Sequence, residues 1–371
     1  TPNYEIVKEI VESLTRECEI FIGGQVVKSI FQDILKWNVK NRLNIIIGEG
    51  ELIIPQLVLG KCEQEPEIIE NNKFVYRVNK DSKYFPKDVS KIYLNRDYLK
   101  KEVIINHYSE KEVSIITSRG CPYDCAFCGG ASSLNKDSNS RIRSKESIIE
   151  EIKEIISRYP DVKSIRILDD LFLRNNKSID TVKEIFSNFT KLSWRGMAHI
   201  DVLKKVFTKI EDLKKSGCKE LFIGIESGSN KIREKIRKLG TIEDILKISQ
   251  KILEVGIDLK GYFIYGFPEE TEEDFKKTLE LAKKIKEISL KTSGQFRTSV
   301  FQFRPYHGTQ LYNEIIKIRG SISKCKINNS LNSNKEEEGR TQFNLTSGNY
   351  SKVSDEKLEE YILKTQKLTK E

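Results

Sequence analysis

Three cysteines carry the clearest chemical signal in the chain. Cys121, Cys125 and Cys128 stand in C-x3-C-x2-C spacing within the stretch Thr117-Ser118-Arg119-Gly120-Cys121-Pro122-Tyr123-Asp124-Cys125-Ala126-Phe127-Cys128-Gly129-Gly130. They follow the apolar, β-branched run Val113 to Ile116, so a buried strand is expected to end in a tight, thiol-rich loop. Three thiolates can hold three irons of a 4Fe-4S cluster and leave the fourth iron open to substrate chemistry, because such clusters take one sulfur ligand per iron. A disulfide, a zinc site and three buried thiols are the alternatives. A disulfide fits poorly, since no signal peptide is expected ahead of the motif and cytosolic thiols stay reduced. Zinc takes four ligands, usually in paired C-x2-C units, and the sequence holds no second pair. Cys18, Cys62, Cys218 and Cys325 stand alone and read as small apolar residues or surface thiols.

Other ionisable groups fall at the ends of apolar runs. Arg166-Ile167-Leu168 leads into Asp169 and Asp170, which could serve a ligand or cap the next helix. Trp194 to Ala198 leads into His199, a side chain able to bond a carboxylate or move a proton near neutral pH. Leu221 to Ile225 delivers Glu226 and Ser227 between Gly224 and Gly228, with helix capping again as the alternative. The run Phe301-Gln302-Phe303 passes into Arg304, Tyr306 and His307, groups suited to gripping a hydroxylated or anionic small molecule.

The elements that position these groups follow from hydrophobic periodicity. Strands are expected near 113–117, 163–168, 192–198, 220–225, 258–265 and 296–303, with amphipathic helices near 144–158, 176–188, 201–216, 243–255 and 271–288. Six strands separated by helices predict a parallel βα barrel, whose chemistry lies at the strand C-terminal ends. Ahead of it, the spacing predicts a helix over Tyr4 to Arg16, a strand over Ile20 to Ile22, a helix over Val27 to Trp37, a strand over Leu43 to Ile47 and a helical run over Leu52 to Leu59. The first strand breaks at Gly23-Gly24 and the second at Gly48-Glu49-Gly50-Glu51, either as tight turns or to admit a ligand to the backbone. Residues 61–112 read as a connector with short strands, Phe74 to Val78 among them, 113–310 as the barrel and 311–371 as a polar loop or lid over 320–345 followed by a helix over Ser354 to Leu368.

Composition limits the rest. The 371 residues are 38% hydrophobic and 32% charged, and no apolar run reaches membrane-spanning length. The net charge of +9 is spread over lysines interleaved with glutamates, as between Lys145 and Lys153, so solvated helix faces account for it and no nucleic-acid partner is expected. A cytoplasmic location is expected. Met197 is the only methionine and residue 1 is threonine, so the chain is expected to be a fragment or a processed product.

The cysteine stretch resembles the signature loop of the radical S-adenosylmethionine (radical SAM) family, in which the residue before the third cysteine is aromatic, as Phe127 is. The Gly224 to Gly228 stretch is similar to the family's Gly-x-Glu-Ser-Gly element, Tyr262 to Thr271 to its adenine-contacting strand, and Pro305 to Tyr312 to its closing segment. This resemblance implies an open six-stranded (β/α)6 partial TIM barrel with a 4Fe-4S cluster on the three cysteines, SAM on the open iron and an electron donor such as flavodoxin or ferredoxin. It implies SAM contacts from Phe127, Gly129, Gly130, Glu226, Ser227, Ile264 and Gly266. Arg233, Arg237 and Lys238 lie on a helix that relatives use near the SAM carboxylate. Asp169, His199 and Tyr306 would be catalytic, and Asp170, Arg304 and His307 would hold substrate. Residues 1–60 resemble the second half of the Rossmann-like cobalamin-binding domain found upstream of many such barrels, with Gly23 and Gly24 in its Gly-Gly turn. The Asp-x-His-x-x-Gly segment of some cobalamin proteins is absent, and no histidine precedes His107. The expected function is modification of a small molecule, by cobalamin-dependent C-methylation or by cobalamin-independent dehydration or oxidation of an aminoglycoside-like sugar. A tRNA methylthiotransferase would need a second three-cysteine site, and a non-enzymatic Fe-S protein would not need the SAM elements.

Overall fold

The computed structural model describes residues 4–98, 103–321, 326–327, 345–346 and 348–369. Its N-terminal part runs through α1 (Tyr4–Ser13), β1 (Glu19–Ile22), α2 (Val27–Leu35), β2 (Arg42–Gly48), α3 (Ile53–Val58), β3 (Ile68–Glu70) and β4 (Lys73–Val78). These strands form one sheet in the order β1-β2-β4-β3, parallel except for β3. A central parallel strand is buried on both faces and so reads as an unbroken apolar run. In β2, Leu43, Ile45 and Ile47 pack with Val27, Ile30 and Ile34 of α2, while Ile46 packs with Ile53 and Tyr76 on the other face. The register of β4 against β2 carries this sheet through Val78, into the span expected as a connector. The short strand expected over Phe74 to Val78 is thus β4, and it belongs to the N-terminal sheet.

The second part holds β5 (Ile104–Ile105), β6 (Lys111–Ile115), β7 (Ser118–Arg119), β8 (Arg141–Ile142), α4 (Lys145–Arg158), β9 (Ser164–Ile167), α5 (Asn176–Phe186) and β10 (Ser193–Ala198). It continues through α6 (Ile200–Lys205), α7 (Ile210–Lys215), β11 (Cys218–Glu226), α8 (Asn230–Lys235), α9 (Ile242–Glu254), β12 (Asp258–Tyr265), α10 (Glu272–Ser289), β13 (Phe296–Gln302), α11 (Gln310–Arg319) and α12 (Asp355–Lys367). Six strands, β6-β9-β10-β11-β12-β13, pair in parallel in sequence order, and the short β5 adds an antiparallel edge. This is the expected (β/α)6 partial barrel with one further strand. Ile148, Ile152 and Ile155 of α4 and Ile245, Ile248 and Ile252 of α9 pack onto the sheet at helical spacing.

Two helices differ from the sequence expectation. The helix over 201–216 is divided by a 3-10 turn at Phe207–Lys209, where Val206, Phe207 and Thr208 are all weak helix formers. Helix α11 was not expected, although both its ends are marked: the Thr309 side chain accepts from the Tyr312 N–H, and Gly320 closes the helix in the left-handed conformation. Most of the lid expected over 320–345 lies outside the described residues.

At the N-terminal ends of the barrel strands an ionic layer spans the concave face. Arg195 of β10 donates to Glu112 of β6 at 2.6 and 2.7 Å and to Glu220 of β11 at 2.7 Å, and Arg297 of β13 donates to Glu220 at 2.7 Å. Arg195, Glu112 and Glu220 are all at least 95% buried. Burial pushes both carboxyls upward in pKa, but the arginine hydrogen bonds and charges outweigh it and hold them below the ordinary range. Removing one partner of a buried pair leaves an uncompensated charge, at a cost of about 3–5 kcal/mol. Denaturant unfolding of Arg195→Leu at neutral pH should therefore show a loss of about that size, shrinking as acid protonates the two glutamates; a loss under about 1 kcal/mol would contradict it.

Candidate active site

The chain leaving β6 is held by the end of the neighbouring strand. Asp169, directly after β9, accepts the Thr117 N–H at 2.7 Å and the Thr117 and Ser118 hydroxyls at 2.6 Å. Burial raises its carboxyl pKa against the pull of those bonds. Arg174 donates to Ser118 Oγ at 2.9 Å and to the Gly120 carbonyl at 2.6 Å. Gly120 itself has φ +79°, a conformation open to glycine. From the other side Arg119 pairs with Glu49 at 2.5 Å and Glu51 at 2.6 Å. The backbone entering Cys121 is thus gripped by both sheets.

All three cysteines of the loop are free, Cys125 buried and the other two half-buried. Ala126 donates to the Ile236 carbonyl and accepts from the Leu311 N–H, which ties the loop to α8 and α11. The Gly130 N–H points at Cys128 Sγ, 3.3 Å away. Burial pushes all three thiols up in pKa, while the Lys238 ammonium opposes it at Cys125 and Cys128. Among the described residues no three His, Cys, Asp or Glu side chains converge on a single metal ion. Three free thiols on one turn with an N–H aimed at a sulfur instead fit a cuboidal cluster, which takes one thiolate per iron and gains from hydrogen bonds to sulfur.

Glu226 ends β11 in an unusual conformation. The pairing of β11 with β12 slips between Gly224 and Glu226, and Glu226 adopts φ +64°. Such a bulge re-aims a side chain, and a non-glycine residue held at positive φ marks a site where the surroundings impose the conformation. Its carboxylate meets Lys238 Nζ at 3.0 Å, with the two side chains 8% and 9% exposed. Gly224 leaves their space open, since a Cβ there would lie 2.7 Å from Lys238 Nζ. Despite burial, the charges of Glu226 and Cys125 hold Lys238 above its ordinary pKa.

A cavity of about 800 Å³ lies between the strand ends of the two sheets. The N-terminal sheet contributes Gly24, Gly48 and Gly50, and the barrel contributes Gly120, Gly130 and Asp170. None of the lining residues is histidine. Gln25 crosses beside it, donating to the Gly129 carbonyl at 2.7 Å.

Residues 115–282, from the end of β6 to within α10, match the Radical SAM superfamily. The barrel is a radical SAM domain. Over 203 residues the chain is 34% identical to an uncharacterized methyltransferase of Pyrococcus horikoshii, covering 54% of this chain and 41% of that protein. Over 239 residues it is 27% identical to a tRNA-2-methylthio-N(6)-dimethylallyladenosine synthase of Protochlamydia amoebophila, covering 57% of this chain and 46% of the relative. The chain thus spans about half the length of the curated relatives it matches, or less. In fold, the cobalamin-dependent S-adenosylmethionine radical enzyme OxsB aligns over 95% of this chain and 58% of its own, with TM-score 0.57 and 15% identity. The radical S-adenosylmethionine methyltransferase TsrM of Kitasatospora setae, solved with tryptophan substrate and a SAM analog, aligns over 85% and 68%, with TM-score 0.58 and 15% identity.

Within the radical SAM domain, Cys121, Cys125, Cys128, Gly130, Glu226 and Asp170 gather on one rim. Phe127 packs edge-on against Phe267 at 5.5 Å, with Ile264 beside it. Gly266, at φ +94°, turns the chain after β12. Ser227 is fully buried, its hydroxyl 3.3 Å from that of Thr278 and accepting the Ser229 N–H, so its side chain supports the turn. Asp169 differs from expectation, because both its oxygens are engaged in bracing the cysteine loop, and the α5 cap is Asn175. His199 caps α6, its Nδ1 accepting the Asp201 N–H at 3.1 Å, and its ring stacks on Tyr123 at 4.0 Å. Burial, then the Lys238 charge, drives its pKa down to about 3, which leaves the ring neutral near pH 7. Arg304 lies over Tyr306 at 5.8 Å, and His307 leans on Tyr312 at 4.6 Å. Gly24 lines the cavity, while Gly23 sits behind it against Ile46.

The turn after β12 holds one more ionisable group. Glu270 is fully buried and accepts the Gly266 and Phe267 N–H groups at 2.8 and 2.9 Å. Burial outweighs those bonds and pushes its carboxyl from 4.5 to about 8. A carboxyl with a raised folded pKa binds more protons in the folded state, so stability falls as pH rises from about 5 to about 8. Relative to the native protein, Glu270→Gln should gain roughly 2 kcal/mol between about pH 6 and pH 9 in urea unfolding. A stability difference independent of pH over that interval would refute the assignment.

Proposed function

We propose that the chain is the core of an enzyme that cleaves SAM reductively at a 4Fe-4S cluster held by Cys121, Cys125 and Cys128 and methylates a small molecule with the help of a corrinoid. The observation that carries the second half is the single cavity of about 800 Å³ in which the glycine turns of the N-terminal sheet face Gly120 and Gly130 of the cysteine loop. Five of its lining residues are glycines, which leaves room for a large flat ring to approach the backbone, and Ile47, Ile54 and Leu168 add apolar surface. A corrinoid there would take no histidine from the lining residues.

Cys121, Cys125 and Cys128 would hold a cluster able to supply the one electron that splits SAM into methionine and a 5′-deoxyadenosyl radical, and the cavity-lining residues would hold a corrinoid able to supply a transferable methyl group. The chain's own residues position and shield. Glu226 presents a buried carboxylate for the ribose hydroxyls or the methionyl ammonium, and Lys238, 3.0 Å from it, presents the cation for the methionyl carboxylate. Phe127 and Ile264 wall the adenine side. Asp170 lines the cavity beside Gly130 and is placed to hold substrate there. Asp169 acts as a positioning residue for the loop. An acidic electron carrier of the flavodoxin or ferredoxin type would supply the electrons.

Anaerobic reconstitution with iron and sulfide, followed by dithionite and SAM, should yield 5′-deoxyadenosine from the native protein and none from Cys125→Ala. Glu226→Gln should retain the cluster absorbance and bind SAM about tenfold more weakly. Absence of 5′-deoxyadenosine from the native protein would overturn SAM cleavage. Cleavage without retention of added hydroxocobalamin would favour the cobalamin-independent dehydratase or oxidoreductase reading.

A further inference from the structure

The Gly48-Glu49-Gly50-Glu51 turn does two things at once. Through Gly48, Glu49, Gly50 and Glu51 it lines the cavity between the sheets. Through Glu49 and Glu51 it also holds Arg119, two residues before Cys121. Glu49 further pairs with Arg141, which stands opposite Arg119 in the β7-β8 ladder and donates to the Pro86 carbonyl at 2.7 Å. The Arg141 side chain is 10% exposed, Glu49 18%, Arg119 28% and Glu51 35%, so the group of charges is partly withdrawn from water. Burial opposes the Arg119 charge, yet the two glutamates raise its pKa above the ordinary guanidinium value.

We infer that Glu49 and Glu51 are positioning residues for the cluster ligand Cys121, acting through Arg119, and that they couple occupancy of the inter-sheet cavity to the stability of the cluster. The Cys121 segment has a barrel-side brace in Asp169 and Arg174 and a cavity-side brace in Arg119. Both braces meet cavity-lining residues, Ser118 and Gly120 on the barrel side, but the second reaches across the cavity to the Gly-Glu-Gly-Glu turn of the N-terminal sheet. A ligand that orders the Gly-Glu-Gly-Glu turn lowers the cost of holding Arg119, and by reciprocity an ordered cluster loop favours the ligand. The coupling half of this inference rests on the corrinoid reading above; the clamp half does not.

The test uses the whole reconstituted chain and reads loss of cluster absorbance to an iron chelator under anaerobic conditions, without and with saturating hydroxocobalamin. Without corrinoid, Glu49→Gln and Arg119→Gln should each lose the cluster about tenfold faster than the native protein, and the double variant should be no faster than either single one, the non-additivity expected of partners in one contact. With corrinoid, the native cluster should be protected and the cluster of Glu49→Gln should not. Circular dichroism of the cluster-free proteins separates this from misfolding, and Arg119→Lys, which keeps the charge but not the fork, should fall between native and Gln. Chelation of Glu49→Gln at the native rate would overturn the clamp, even if hydroxocobalamin is retained. Native protein that retains hydroxocobalamin but shows no protection would overturn the coupling alone. Failure of the native protein to retain hydroxocobalamin would overturn the corrinoid reading and the coupling with it, leaving the chelation rates without corrinoid to decide the clamp.

Discussion

The site depends on the contact between Asp169 and the first residues beyond β6. Two parallel strands end side by side, and the carboxylate of one takes the N–H and hydroxyls of the other at 2.6–2.7 Å. A thiol-rich turn has little apolar surface with which to hold itself, so its geometry must be imposed from its ends. Asp169 supplies that at the entry to Cys121, and the Ala126 bonds to Ile236 and Leu311 supply it near Cys125. Everything that later meets the cysteines, from Lys238 to Asp170, is placed relative to a backbone fixed in this way.

The two sheets present their strand ends to each other across the same loop. That arrangement explains why polar residues crowd the junction. Arg119, Arg141, Glu49 and Glu51 form a partly buried ionic group, and Gln25 and Lys28 donate to loop carbonyls. Such an interface is worth little as hydrophobic burial, and its value lies in orientation: each bond has one geometry, so the sheets meet in one register.

The barrel was legible in the sequence because its strands and helices differ in period and alternate without interruption. Cys121, Cys125 and Cys128 were legible because spacing alone limits what three thiols can do, and Glu226 because an apolar run ended on a carboxylate between glycines. What escaped were features set by contacts distant along the chain. Arg119 and Glu49 stand 70 positions apart, so neither residue announced the pair. Asp169 and His199 were placed correctly at strand ends, yet burial decided their roles: one became a brace and the other a neutral cap stacked on Tyr123. The Ser227 hydroxyl shows the same effect, taken up by Thr278 and the Ser229 N–H, since a hydroxyl beside a carboxylate carries no mark in the sequence of whether it faces a cavity or the core. Strand β4 was legible, but its pairing with β2, some 30 positions earlier, was not; α11 was hidden by the absence of a long apolar stripe, although Thr309 and Gly320 signalled its ends.

The ionic layer at the foot of the barrel has a consequence for traffic. Arg195, Glu112, Glu220 and Arg297 fill the concave face at the N-terminal strand ends, with Tyr108 bonded to Asp258 nearby. Fixed charges occupy one end of the concave face, and the cavity of about 800 Å³ opens at the other, so a small molecule that reaches the cysteine turn from that cavity also meets the smaller sheet.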